Sequence, residues 1–296
     1  MLLVLPEFEL FSTVTVEETC ALLSRFGEGT SVLAGGTDLL TKMKHRRSVP
    51  RRLINIKGIP NLNHIRHDEQ IGLRIGSLTT VQAIEASSLV SMKFAALKQA
   101  AGLLGTTQIR NVGTIGGNLA NASPSAEFAT PLLVYDASVR CMGAVGERVI
   151  PMEALFVSPG KTSMNPDELL VEVHVPNLPT GAHGIYLKHS LRKMDVAIAS
   201  AAVLIVIDGD VCSDVRIALG AVGPVPYRAR KAEATLRGKR LTGGLAESEL
   251  IEEVAQVASD ESSPIDDFRG QAGYRRKLVA MLVGKGLERV VSSTRG

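Results

Sequence analysis

The stretch RNVGTIGGNLANASPSAE (residues 110–127) consists mainly of small and polar residues and ends in one acidic side chain. It contains neither histidine nor cysteine, two of the commonest catalytic side chains. At its centre is the pair Gly116-Gly117. A second pair, Gly35-Gly36, lies in TSVLAGGTDLL (residues 30–40), and each pair follows a short apolar run that is typical of a strand. The sequence therefore predicts two similar glycine loops in distant parts of the chain.

Paired glycines after a strand can bind an anion. Glycine allows positive φ and has no Cβ, so successive backbone N–H groups can turn toward one negative charge. A flanking hydroxyl, from Thr37 or Thr114, adds a donor, and the two loops together could hold a pyrophosphate without any lysine. Each pair taken alone is explained more simply as a tight turn or bulge. Neither pair belongs to a P-loop or to the GxGxxG of a dinucleotide fold.

The residues around the second pair favour a large ligand. Asn118, Asn121, Ser123 and Ser125 are short and polar, so the backbone could lie close to a flat molecule while the side chains form hydrogen bonds. Glu127 could accept hydrogen bonds from a ribose or from ring N–H groups. A site built mainly from backbone amides suits a bulky cofactor, since the cofactor then carries the reactive atoms.

Composition excludes several classes of function. The chain has 296 residues and a net charge of only +3, so no strong overall field attracts nucleic acid or an anionic membrane. Tryptophan is absent and aromatic residues make up 4%, which argues against a base-stacking platform. Partners must therefore be inferred from local sites.

The cysteines and the N-terminus indicate a cytoplasmic protein. Cys20, Cys141 and Cys212 are scattered and show no metal-binding spacing, which is typical of buried residues in a reducing compartment. The first segment, MLLVLPEFELF, lacks basic residues and is interrupted by Pro6. We expect neither a signal peptide nor a membrane span.

Sequence patterns divide the chain into three lobes, residues 1–57, 58–178 and 179–296. In the first lobe, a helix begins with a capping box at Thr15 and ends at Gly27, and the strands TSVL and RRLINI follow it.

The second lobe mixes helices with strands at IGLRIG, SVRCMG and LLVEVHVP, which we expect to be antiparallel because the later connections are short. SMKFAALKQAAGLL is predicted to be one helix. The third lobe is predicted to be a three-stranded antiparallel sheet with a tight turn at residues 208–210, followed by helices around residues 246–258 and 271–290.

Three motifs in this order, VLAGGTDLL, RNVGTIGGNLANASPSAE and YLKHSLRKMDVAIASAAV, resemble the FAD-binding medium subunit of the molybdenum hydroxylases. This is the family of xanthine dehydrogenase, carbon monoxide dehydrogenase and 4-hydroxybenzoyl-CoA reductase. The resemblance covers nearly the whole chain. It implies an α+β fold of the vanillyl-alcohol-oxidase and para-cresol-methylhydroxylase type, in which two α+β lobes bind FAD. A C-terminal lobe of the CO dehydrogenase flavoprotein type, with a three-stranded antiparallel sheet and helices, follows them.

The resemblance also implies which residues contact FAD. Those expected to hold the pyrophosphate and ribityl chain are Val32, Leu33, Ala34, Gly35, Gly36, Thr37, Asp38, Leu39, Thr114, Ile115, Gly116, Gly117 and Asn118. Glu127 stands where many relatives have aspartate, and Leu104 stands where xanthine dehydrogenases carry an aromatic residue near the ring. Leu170 would line the ring pocket and Lys188 would reach the flavin. No side chain is expected to act as a general base.

As a function, the resemblance implies an oxidoreductase subunit that transfers electrons. A molybdopterin-binding large subunit would act on the substrate, a small subunit with [2Fe–2S] clusters would carry electrons to FAD, and NAD is a possible acceptor. The expected assembly is a dimer of heterotrimers. The chain has no cysteine-rich insertion, so no [4Fe–4S] cluster and no other metal site are expected within it.

Two alternatives remain open at this point. One is a flavin-free assembly subunit that keeps only the fold. The other is a stand-alone flavin oxidoreductase, which would need an acid–base residue over the ring, and the sequence offers no obvious one. A nucleotide-sugar reductase of the same superfamily fits less well, because the third motif is then unexplained.

Some of these residues also have simpler interpretations. Lys188 lies in an alternating strand, where a lysine is usually on the solvated face. Asp195 is typical of a turn before a strand. The basic run KMKHRRSVPRR (residues 42–52) has three interpretations. It is a solvated loop, a docking surface for an acidic partner, or a surface that attracts an anionic nicotinamide cofactor.

Overall fold

The computed structural model describes residues 4–294. The first lobe contains a three-stranded parallel sheet. Its elements are β1 (Glu9–Ser12), α1 (Val16–Phe26), β2 (Thr30–Leu33), α2 (Leu39–Lys44) and β3 (Arg52–Asn55). The strands lie in the order β1-β3-β2. As predicted, Thr15 caps α1 by accepting a hydrogen bond from the N–H of Glu18 (3.1 Å), and Gly27 ends the helix at φ 55°. The short strand β1 was not predicted, because it is exposed along most of its length.

The second lobe contains a five-stranded antiparallel sheet, which confirms the predicted strand direction. The strand order is β4-β5-β10-β6-β7, and a separate hairpin is formed by β8 and β9. The elements are β4 (Ile65–Asp68), β5 (Gly72–Gly76), α3 (Val81–Ala86), α4 (Ser88–Lys93), α5 (Ala95–Leu103), α6 (Thr107–Val112), α7 (Ile115–Ala120), α8 (Ala129–Val134), β6 (Ser138–Gly143), β7 (Gly146–Pro151), α9 (Met152–Leu155), β8 (Phe156–Ser158), β9 (Lys161–Thr162) and β10 (Leu169–Val175).

Two local predictions in this lobe were wrong. The expected single helix over residues 91–104 is broken at Phe94, whose φ of −130° and ψ of 57° separate α4 from α5. The second glycine pair does not follow a strand: Gly116 and Gly117 lie in the first turn of α7, and α6 precedes them. Thr114 initiates α7 by accepting a hydrogen bond from the N–H of Gly117 (3.1 Å), so a capping threonine outweighs the low helix propensity of the glycines.

The third lobe has the predicted antiparallel sheet, with one short strand more than expected. Its elements are β11 (Ala182–His189), β12 (Ala199–Asp208), β13 (Val211–Gly220), β14 (Tyr227–Arg228), α10 (Arg230–Leu236), α11 (Gly244–Glu261) and α12 (Ala272–Thr294). The strands lie in sequence order, and the turn between β12 and β13 is at residues 209–210, with Gly209 at φ 60°. No helix among residues 4–294 is long and apolar enough to span a membrane.

Packing connects the three sheets. One face of the third sheet contributes to a core with α11 and α12, and residues of its other face, including Tyr186 and Leu204, join the core of α5 and α8. Strand β10 is shared: Leu169 and Val171 pack with residues of α1 and β3, whereas Leu170 and Val173 pack into the second lobe. A register shift between Leu170 and Glu172 accompanies this change of environment. The division at residues 57 and 178 stays our proposal for the domain boundaries.

Candidate cofactor site

A cleft of about 1070 Å³ lies where the three lobes meet. Most of the predicted site residues line it: Val32, Ala34, Gly35, Gly36, Thr37, Asp38, Leu39, Leu104, Thr114, Gly116, Gly117, Asn118, Glu127 and Leu170. Its size is at the upper end of small-molecule pockets, which suits an elongated ligand. The structure therefore brings together residues that are up to 138 positions apart, from Val32 to Leu170.

Three predicted residues do not line the cleft. Ile115 is fully buried in the second-lobe core, and its N–H donates to the carbonyl of Thr79 (3.0 Å). Leu33, the last residue of β2, accepts a hydrogen bond at its carbonyl from Ile56 (3.2 Å). Lys188 is buried behind the wall of the cleft. Neighbours in a motif point in different directions, so a contiguous motif overstates the number of ligand contacts.

The loop of residues 35–38 presents backbone donors to the cleft. The N–H groups of Gly36, Thr37 and Asp38 have no acceptor among residues 4–294. Gly36 has a φ of 76°, and a Cβ on Gly35 would overlap the carbonyl of Val112, so both positions require glycine. Consecutive N–H groups without internal partners attract an anion. This donor set fits the pyrophosphate of FAD.

The start of α7 is different, which corrects the expectation of two similar loops. Its N–H groups already have protein acceptors: Gly116 donates to Ser77 (3.0 Å), Gly117 to the hydroxyl of Thr114 (3.1 Å) and Asn118 to the carbonyl of Thr114 (3.0 Å). Gly116 is required for packing, because a Cβ there would lie 2.7 Å from the carbonyl of Ser77. Gly117 has open space except for the Thr114 hydroxyl. The α7 segment therefore presents a surface without side chains at Gly116 and Gly117, and its amides at residues 116–118 are not free.

Glu127 and Lys188 form a buried ion pair at the wall of the cleft. Lys188 Nζ lies 2.7 Å from Glu127 Oε1, and it also donates to the carbonyls of Leu103 (2.6 Å) and Asp195 (2.9 Å). Burial raises the pKa of Glu127, and the charge of Lys188 opposes that rise. The ammonium of Lys188 uses all three of its hydrogens within the protein. The interpretation of Lys188 as a solvated strand residue was therefore wrong.

Basic residues from the run at 42–52 also border the cleft. Lys42 and Arg47 lie on its wall, whereas Lys44 is exposed elsewhere on α2. Lys42 Nζ donates to Asn121 Oδ1 at 2.5 Å, which joins α2 to the residue after α7. The run is thus neither wholly a solvated loop nor a separate patch.

One wall of the cleft contains none of the predicted site residues. This wall consists of residues 160–162 around the hairpin of β8 and β9, residues 164–166, Glu168 and Leu169. The only local signal was the pair Pro159-Gly160, which indicates a turn but no ligand. Residues 194–196 of the third lobe complete the lining.

The carboxylates at the cleft are mostly engaged by the protein. Glu168 pairs with Arg148 (2.5 Å), and the hydrogen bond from Arg148 holds the pKa of Glu168 below its usual value even though burial acts to raise it. Asp195 accepts from the N–H of Arg192 (3.2 Å) and closes a turn, as predicted from its position. Since Glu127 is ion-paired as well, these three groups are not free acids or bases. The carboxylate of Asp38, which also lines the cleft, has no hydrogen bond or ion pair among residues 4–294.

Comparisons with known proteins agree with this geometry. Residues 6–178 match the family described as "FAD binding domain in molybdopterin dehydrogenase", and residues 185–290 match the "CO dehydrogenase flavoprotein C-terminal domain". The chain is 34% identical to the 6-hydroxypseudooxynicotine dehydrogenase complex subunit alpha of Paenarthrobacter nicotinovorans, over 98% of this chain and 96% of that one. It is 32% identical to the xanthine dehydrogenase FAD-binding subunit of Escherichia coli O157:H7, over 90% of each chain.

A solved structure extends the likeness to three dimensions. A chain of carbon monoxide dehydrogenase from Hydrogenophaga pseudoflava, determined without the Mo-pyranopterin moiety, superposes with a TM-score of 0.93. The identity is 32%, and the match covers 98% of this chain and 99% of that chain. The α+β fold and the use of FAD follow from these matches. The chain belongs to the family of FAD-binding medium subunits of the molybdenum hydroxylases, which are oxidoreductases.

Proposed function

We propose that the chain transfers electrons between [2Fe–2S] clusters of a small partner subunit and an external acceptor such as NAD. A molybdopterin-binding large subunit would act on the substrate, and the assembly would be a dimer of heterotrimers. Supporting this are the names of the relatives, which describe a subunit of a dehydrogenase complex and medium chains of dehydrogenases. We also propose a cytoplasmic location, which the three free, buried cysteines favour.

The observation that carries the proposal is the combination, in one cleft, of free backbone amides with carboxylates of which three are engaged by the protein. The 35–38 loop supplies N–H donors for phosphate oxygens, and no acid–base residue is needed if the cofactor carries the reactive atoms. FAD supplies the redox chemistry, since it exchanges electrons singly or in pairs. The protein's part is to bind the cofactor, orient it and exclude water.

Individual residues have distinct proposed roles. Val32, Leu33, Ala34 and Leu39 would hold the 35–38 loop in place. Thr37 and Asp38, which directly precede α2, would contact the cofactor. The surface of α7 from Thr114 to Asn118, supported by Ile115 in the core, would lie against the ribityl chain. Leu104 and Leu170 would contact the ring. Glu127 would accept a hydrogen bond from the cofactor, and Lys188 would keep that carboxylate in position.

The test uses the purified complex under anaerobic conditions. Added NADH should bleach the flavin absorbance, and the electron paramagnetic resonance signal of reduced [2Fe–2S] clusters should follow. A flavin that bleaches without any cluster signal would contradict transfer to the small subunit. A complex without flavin would favour the assembly role, and turnover by the isolated chain would favour a stand-alone oxidoreductase.

A further inference from the structure

We propose that Lys42 binds the pyrophosphate of FAD together with the 35–38 loop. The inference rests on the proposed binding of FAD in the cleft and adds a charged side chain to a site that the glycine motifs describe as backbone only. It differs from the expectation that the pyrophosphate could be held without a lysine.

The position of Lys42 on α2 directs it toward the loop. Its N–H donates to the carbonyl of Asp38 (2.9 Å), so Lys42 lies one turn after the end of the loop. Side chains on a helix lean toward its N-terminus, and the surface they cover lies over the preceding turn. The stem of Lys42 therefore runs back toward residues 36–38, and both it and the loop line the same cleft.

The ammonium of Lys42 has donor capacity to spare. Its one hydrogen bond goes to Asn121 Oδ1 (2.5 Å), and no ion pair to Lys42 is found among residues 4–294. A lysine ammonium has three donors, so two remain. Lys188, buried behind the wall of the cleft, shows the opposite arrangement: its three hydrogens go to two backbone carbonyls and to the carboxylate of Glu127. Lys42 therefore has unused hydrogen-bond donors, whereas Lys188 has none.

Charge completes the match to a pyrophosphate. Withdrawing an ammonium from water without a counter-charge is unfavourable, and Lys42 is half-buried. Backbone N–H groups contribute dipoles but no net charge, whereas the pyrophosphate is negatively charged. Lysine binds phosphate as a compact point charge. Asn121 holds the ammonium at the lining of the same cleft as the loop, so an anion seated on the three free amides would also meet the cation.

The neighbouring lysine provides a matched control. Lys44 is two residues further along α2, carries the same charge, is exposed and does not line the cleft. Replacing either lysine with glutamine changes the net charge of the chain equally. A difference between the two variants therefore reports local contact and not the overall field.

The experiment measures the dissociation constants of FAD and of riboflavin, which lacks phosphate, for the full chain after removal of its flavin. For Lys42→Gln we expect FAD affinity to fall about tenfold, as for loss of one charge-assisted hydrogen bond, and the salt dependence of FAD binding to become shallower. Riboflavin affinity should not change. Lys44→Gln should alter FAD affinity by less than about twofold. Lys42→Met, which retains the packing of the stem, should behave like Lys42→Gln.

Two results would overturn the inference: FAD affinity in both Lys42 variants equal to that of the unchanged chain, or equal losses in Lys42→Gln and Lys44→Gln. A circular dichroism spectrum of each flavin-free variant identifies loss of fold. Failure of the unchanged chain to bind FAD at all would instead contradict the proposed function, so the two failures are distinguishable.

Discussion

Lys188 Nζ lies 2.7 Å from Glu127 Oε1, with 1% and 10% of the two side chains exposed. Glu127 borders the cleft, whereas Lys188 belongs to β11 of the third lobe. The carbonyls of Leu103 and Asp195 accept the remaining hydrogens of the ammonium. The third lobe thus fixes one charged group at the cleft, even though its residues supply little of the cleft surface.

Replacing Lys188 with methionine should destabilise the protein by about 3–5 kcal/mol, because Glu127 is then a buried charge without a partner. Urea unfolding measures the loss. Burial already raises the pKa of Glu127, and removing Lys188 should raise it further. A group whose pKa is raised in the folded state stabilises the protein at low pH. This stability is lost as the pH rises through the raised pKa. The cost should therefore shrink as the medium is acidified.

Two variants control this prediction. Adding Glu127→Gln to Lys188→Met should recover part of the lost stability, since the buried charge is removed. Lys193→Met, at an exposed lysine on the nearby turn, should change stability by less than about 0.5 kcal/mol. Equal costs at Lys188 and Lys193 would show that the ion pair contributes nothing.

The adjacent glycines of α7 should respond differently to alanine. In Gly116→Ala the new Cβ meets the backbone of Ser77 at 2.7 Å, so we expect a loss of about 1–3 kcal/mol. In Gly117→Ala the Cβ has only the Thr114 hydroxyl within 4 Å, and helix propensity favours alanine. The Cβ would lie 3.0 Å from that hydroxyl, so the variant should lose less stability than Gly116→Ala. It should still bind FAD at least about tenfold more weakly, since Gly117 lines the cleft.

Thermal unfolding and FAD titration of both variants separate the two effects. Tight FAD binding by a stable Gly117→Ala variant would remove α7 from the cofactor site. A Gly116→Ala variant of normal stability would show that the contact with Ser77 relaxes easily.

Glu172 of β10 should make the protein sensitive to acid. Burial acts to raise its pKa, but Arg74 (2.9 Å), Arg140 (3.6 Å) and His64 (3.0 Å) hold the pKa below the usual 4.5. A lowered pKa in the folded state contributes stability above pH 4.5, and this stability is lost as the pH falls through the folded value. Glu172→Gln should cost about 1–3 kcal/mol at neutral pH and little in acid.

Urea unfolding across the acidic range checks this prediction. The unchanged chain should lose stability more steeply than Glu172→Gln. Glu69→Gln, at an exposed carboxylate nearby, should keep the steep profile of the unchanged chain. Parallel profiles for the unchanged chain and Glu172→Gln would exclude Glu172 as the source of the acid sensitivity.

FAD itself should stabilise the folded chain. A ligand that binds only the folded state adds about 2.7 kcal/mol when its free concentration is a hundred times the dissociation constant. The urea midpoint of the flavin-free chain should therefore rise with added FAD. It should stay constant with added adenosine alone, which lacks the pyrophosphate and the flavin ring. An unfolding midpoint that does not change with added FAD would contradict binding of FAD in the cleft.

Much of the fold was predictable because local signals coincide with tertiary structure. Thr15 and Gly27 delimit α1. The turn at Gly209 joins two strands that are buried over most of their length. The strand β1 and the break at Phe94 were missed because their stability depends on tertiary partners: β1 pairs with β3, and Phe94 packs edge-on against Tyr135. The short strand β14 likewise exists by pairing with β13.

For the site, the motifs identified the region and not the contacts. A Gly-Gly pair indicates close approach of backbone, but only the structure distinguishes the free amides around Gly36 from the packing against Ser77 at Gly116. The wall formed by residues 160–162 is brought to the cleft by folding alone. The isolated sequence also gave no reason to separate Lys42 from the other basic residues of its run.

Strand β10 has a consequence for how this chain can change in evolution. Within three successive positions, Leu169 faces the packing with the first lobe, Leu170 faces the cleft and the second-lobe core, and Val171 returns to the first lobe. A deletion or insertion of one residue here would exchange these environments and bring the carboxylate of Glu172 toward a core. Substitutions in this segment are therefore constrained by several surfaces at once, whereas the exposed residues 191–193 of the turn after β11 are free of such packing.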